Sequence, residues 1–126
     1  MTEAQQTAIL EVLSYKRERL KFSIQMLEIR QKQATRKLQD LVIQNTRLSS
    51  ELKQIEASLA GLREGTNKEQ TTSHIQRLSY KIYRFKIQIE PLLVKVLFDF
   101  PLAVAMEKAQ LQVVENFFGI WPKQTI

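Results

Sequence analysis

From Leu10 onward, apolar residues recur at alternating intervals of three and four. One series reads Leu10, Arg17, Ile24, Gln31, Leu38, Asn45, Leu52, Leu59. The other reads Leu13, Leu20, Leu27, Ala34, Leu41, Leu48, Ile55, Leu62. Thirteen of these sixteen positions are apolar, which carries the repeat through eight heptads without a stutter. An ideal straight helix drifts about 20° per heptad against such a repeat, so strict seven-residue spacing predicts a coiled-coil seam. The exceptions, Arg17, Gln31 and Asn45, share one heptad position and lie fourteen residues apart. A polar residue there weakens the seam but fixes register and partner number, which makes Gln31 and Asn45 candidate register residues. The long side chain of Arg17 is expected to snorkel outward.

The first helix is expected over about residues 3–64. Gly61 and Gly65 then lead into the polar stretch Thr66-Asn-Lys-Glu-Gln-Thr-Thr-Ser73. Its dense turn-formers predict a turn over 65–72, with Thr72 or Ser73 capping a second helix over about 73–118. Ile75, Leu78, Ile82, Phe85, Ile89, Leu92 and Val96 continue the three-four spacing. Pro91 and Pro101 lack an amide to donate, and a kink or break is expected near Glu90 and after Phe100. Beyond them Ala103, Met106, Val113 and Phe117 resume the pattern, with Gln110 as its one polar gap. A turn centred near residue 68 lays residue 118 beside residue 18. The fold class is therefore all-α: a single elongated domain over 1–126, built as a long antiparallel two-helix coiled-coil hairpin, its second helix kinked or broken by Pro91 and Pro101. The apolar residues outnumber what one seam can bury, which predicts a second contact surface.

Composition narrows the function classes. The 126 residues contain no cysteine, one histidine, three glycines and three prolines. Disulfide scaffolds and thiolate sites are excluded, and a histidine metal cluster cannot form within one chain. No phosphate-cradling glycine loop or nucleophile elbow occurs. No paired carboxylates lie in an apolar setting, so no catalytic, cofactor-binding or metal-ligating residue is expected and the protein reads as non-enzymatic.

Charge adds a surface. The net charge is +6. Residues 14–37 hold eight basic residues against two acidic ones, and residues 77–86 add Arg77, Lys81, Arg84 and Lys86 with no acid. Arg17, Arg19, Lys21, Arg30, Arg36 and Lys37 are candidates for docking an acidic partner. A basic stretch before a zipper suggests DNA binding, but no Asn-x-x-Ala motif precedes Leu38, and Leu20, Ile24 and Leu27 already form a seam inside the basic stretch. Sequence-specific nucleic-acid binding is therefore not expected. Phe117, Phe118 and Trp121 bring three rings within five residues. They are candidates for a partner hot spot or for capping the core near Leu13 to Leu20. The start of the chain lacks an export signal, and no apolar run reaches membrane-spanning length, so a cytoplasmic location is expected.

The stretch Ile9-Leu-Glu-Val-Leu-Ser-Tyr-Lys-Arg-Glu-Arg-Leu-Lys21, running on through Gln31-Lys-Gln-Ala34, resembles the first helix of type III secretion and flagellar export stalk proteins (the FliJ/YscO-like family). The shared features are length, absence of cysteine, basic Gln-rich heptads and one polar turn, over about residues 3–90. The resemblance implies a coiled-coil stalk or adaptor set in a hexameric export ATPase, touching the export gate or cargo chaperones, and peripheral to a membrane complex. Two other readings fit the pattern: a homo-oligomeric structural coiled coil, and a secretion chaperone holding a partner helix.

Overall fold

The computed structural model describes residues 2–62 and 65–125; the side chains of Thr66 and of residues 120–125 are not among those described. All regular structure among the described residues is helical. The elements are α1 (Glu3–Leu59), α2 (Thr66–Val94), a π-helical turn (Lys95–Asp99) and α3 (Phe100–Thr125).

A capping box opens α1. The Thr2 hydroxyl accepts from the amide of Gln5 (3.2 Å), and the Gln5 side-chain carbonyl accepts from the amide of Thr2 (3.0 Å). Two amides that the helix leaves unpaired are satisfied in this way. The helix ends at Leu59, where Gly61 and Leu62 donate to Ser58 and Leu59 and tighten the chain out of α-geometry. Gly65 has φ of +143°, a region that residues with a Cβ rarely enter. It immediately precedes α2.

The second helix starts earlier than the turn chemistry suggests. Thr71 and Thr72 are not caps; their hydroxyls donate to the carbonyls of Asn67 and Lys68, one turn back within α2. A threonine can satisfy its hydroxyl on the preceding turn, so a polar run need not be a turn. Pro91 also does not end the helix, and α2 continues to Val94. The departure from α-geometry comes at Lys95–Asp99. There Pro101, second residue of α3, has no amide for the Leu97 carbonyl and would press its ring against it. A wide π turn just ahead relieves that crowding.

The chain divides into two compact units. One comprises residues 34–95 and is a hairpin: the C-terminal part of α1 packs antiparallel on α2. Its buried side chains are Leu41, Leu78 and Ile82. The other comprises residues 1–33 and 96–126, where the N-terminal part of α1 pairs with α3 around Leu20, Ile24 and Val114. Antiparallel pairing here sets Arg17 against Phe118 and Glu28 against Lys108.

Along α1 every member of the two expected series from Leu10 to Leu59 is buried or half-buried, whereas Leu62, the last of the second series, lies past the helix end and is exposed. In α2 the same holds for Ile75 through Leu92, and for Val96 beyond it. In α3 the expected stripe is out of phase by one residue. Ala103 and Phe117 are half-buried as expected, but Met106 and Val113 are 57% and 69% exposed, and Gln110 faces solvent. The stripe runs instead through Phe100, Val104, Glu107, Leu111, Val114 and Phe118, each buried or half-buried. The π turn is the cause, because it inserts one residue and rotates the downstream stripe. The polar gap at Gln110 disappears with this correction, since Leu111 fills the place.

Candidate partner-binding surface

The basic residues of α1 differ in exposure: Arg17 is half-buried, while Arg19, Lys21, Arg30, Arg36 and Lys37 are exposed. Arg17 points inward instead of snorkelling: its guanidinium lies 4.5 Å from the centre of the Phe118 ring, and its Nε is buried without a hydrogen-bond partner. The same Nε sits 3.8 Å from Glu18, too long for a hydrogen bond. Lys21 also approaches Glu18, at 3.9 Å. Arg19 and Arg30 are exposed in the unit of residues 1–33 and 96–126, while Arg36 and Lys37 are exposed in the other. Both Phe117 and Phe118 are half-buried. Phe118 therefore serves the seam near Arg17. The side chain of Trp121 lies outside the described ones.

Gln31 and Asn45 are half-buried on the seam. The Asn45 side-chain oxygen has no hydrogen-bond partner.

Charge divides unevenly between the units. Residues 34–95 hold eleven Lys and Arg against six Asp and Glu, so five of the six net positive charges lie there. Within that hairpin a groove of about 590 Å³ opens on one flank of the α1–α2 seam. Gln44, Arg47 and Leu48 line it from α1, and Lys81, Arg84, Phe85 and Gln88 from α2. Its floor is apolar, from half-buried Leu48 and Phe85. Its rim carries three cations and no acid. Among the described residues none of Arg47, Lys81 and Arg84 joins an ion pair; Arg84 instead lies 5.9 Å over the Tyr80 ring. A second hollow, lined by α2 alone through Ser73, Arg77 and Tyr80, shares Lys81 and Arg84 with the groove.

Sequence reasoning found the acid-free run of residues 77–86 but not its opposition to Arg47. The missing signal was the register that brings residues 47–48 opposite 84–85. Apolar surface is also left over. Among the described residues, seventeen large apolar side chains are at least 36% exposed, against six buried ones, so a helix pair alone does not cover them. Among the same residues, no helix is long and apolar enough to cross a membrane.

No protein-family model matches the chain, no curated protein matches it, and no solved structure matches it.

Proposed function

We propose that the protein is a non-enzymatic coiled-coil adaptor that binds an acidic protein partner through the basic hairpin of residues 34–95. The observation that carries this reading is the charge division: the hairpin holds most of the net charge, and the groove lined by Arg47, Lys81 and Arg84 contains no acid. Uncompensated charge on a helix pair speeds encounter with an oppositely charged surface and suppresses wrong partners. In its most concrete form the partner is the hexameric ATPase or the gate of a protein export apparatus, as the likeness of residues 9–34 to export stalk proteins implies. Stiffness would come from the paired helices and recognition from the charge.

Co-purification tests the reading. The tagged chain is recovered from its native cells at low and at moderate salt, and bound proteins are identified by mass spectrometry. The adaptor reading expects an acidic protein, an export ATPase or gate component in its specific form, that is lost as salt rises. Recovery of the chain alone, or of a partner indifferent to salt, contradicts it.

A further inference from the structure

We propose that the groove over Leu48 and Phe85 is the seat of one amphipathic helix, contributed by a partner protein, whose apolar stripe is flanked by acidic residues. The inference rests on the adaptor reading and names the form of the partner.

Two antiparallel helices leave a furrow on each flank of their seam. A third helix packs there when the floor is apolar, because its ridge fills the furrow and removes both surfaces from water. The floor here is Leu48 and Phe85, both half-buried and unable to be covered further by their own hairpin. The rim decides what kind of helix fits. Arg47 stands on the α1 side, Lys81 and Arg84 on the α2 side, so cations border the furrow on both edges. A helix with Glu or Asp on both sides of a leucine stripe meets a cation at each edge while its stripe reaches the floor. A basic helix would set like charges against each other at close range and be disfavoured. The furrow runs along about two turns of α2, from Lys81 to Gln88, and Arg77 and Tyr80 line an adjacent hollow on α2 that shares Lys81 and Arg84 with it. Anionic lipid would favour cations on one exposed plane with insertable apolar residues, and a nucleic acid would favour a row of cations following its backbone. Cations on both edges of an apolar furrow match neither as well as a helix.

The test uses the purified full chain and fluorescence anisotropy. The probe is a labelled peptide of about 16 residues with a leucine stripe at helical spacing and Glu at its flanks. The control is the same peptide with Lys for Glu. Wild type should bind the acidic peptide at least about tenfold more tightly than the basic one. Combining Arg47→Glu, Lys81→Glu and Arg84→Glu should weaken acidic-peptide binding about tenfold or more, with helicity by circular dichroism unchanged. The neutral set Arg47→Gln, Lys81→Gln and Arg84→Gln should weaken it by less. Arg19→Glu with Arg30→Glu, outside the groove, should leave it within about twofold. Equal affinity for the two peptides overturns the proposal, as does a groove triple variant that binds like wild type. Tighter binding to phosphatidylglycerol vesicles or to a single-stranded DNA oligomer, lost in the triple variant, also overturns it by assigning the groove another occupant. The two readings fail separately. If a salt-sensitive partner is co-purified equally by wild type and triple variant, the groove is wrong and the adaptor stands. If the peptide binds as expected and no acidic partner is ever recovered, the adaptor reading is wrong and the groove stands.

Discussion

The guanidinium of Arg17 stacks on the ring of Phe118, 4.5 Å from its centre, across the α1–α3 pair. The contact turns a polar heptad position into a seam contact: the stem packs, the planar head covers an aromatic face, and the charge gains from the ring quadrupole. At a side chain that remains 32% exposed the gain is modest. A double-mutant cycle of Arg17→Leu and Phe118→Leu should therefore give a coupling energy of about 0.5–1 kcal/mol, read from urea unfolding. A coupling near zero would show that the two side chains merely lie side by side.

Asn45 stands on the seam with its side-chain oxygen buried and unpaired, and one carboxylate oxygen of Glu107 is in the same condition in α3. A buried polar atom without a partner forfeits its hydration and recovers nothing. Asn45→Leu and Glu107→Leu should each raise stability by about 1 kcal/mol. The midpoint of urea unfolding checks both. A fall in either would mean that the polar group has a partner its surroundings do not suggest.

The π turn makes a sharper prediction. The inner stripe of α3 sits one residue later than a strict heptad continued from α2. Deleting one exposed residue of the turn, Phe98, would bring Phe100, Val104, Glu107, Leu111, Val114 and Phe118 onto that strict heptad with plain α-geometry. The deletion should move Tm by less than about 4 °C. Deleting exposed Gln33 from the interior of α1 rotates the downstream half of its seam by one residue and should lower Tm by about 10 °C or more. Equal losses in the two deletions would remove the phase argument.

That phase shift also marks where the sequence stopped being readable. Heptad spacing gave every seam position of α1 and those of α2 through Leu92, because in those stretches the helix is regular and periodicity maps directly onto burial. It failed in the middle of α3, at Met106, Gln110 and Val113, because one inserted residue changes the phase and leaves no composition signal except the nearby Pro101. The helix start at Thr66 was hidden for a different reason: threonines that bond back to their own helix look like turn-formers in sequence. On the surface, individual cations were legible but their grouping was not. Arg17 belongs to the seam and Arg47 to the groove, and only the pairing register separates those roles.

Two contacts between charged or ionisable side chains bridge neighbouring helices among the described residues: the His74 imidazole lies 3.7 Å from the Glu51 carboxylate, and Lys108 pairs with Glu28 at 3.5 Å. All four side chains are at least 44% exposed, so water screens both pairs. Glu51→Gln and Lys108→Gln should each change stability by less than about 0.5 kcal/mol. Burial of the seam, not these pairs, then holds the helices together. A loss above about 1 kcal/mol in thermal unfolding would reverse that ranking.

The account rests on the α1 seam being closed by α2 and α3 of the same chain, which leaves the basic groove as the surface for a partner. The chain has no cysteine, so a pair can be placed at will. Glu28→Cys and Lys108→Cys put two thiols on adjacent exposed positions of α1 and α3. Treated with a short bis-maleimide at low protein concentration, the variant should link within itself and keep the mass of one chain, 14.8 kDa plus the reagent. A linked product at twice that mass, formed in preference to the internal link, would mean that α1 pairs with another copy and would contradict the account.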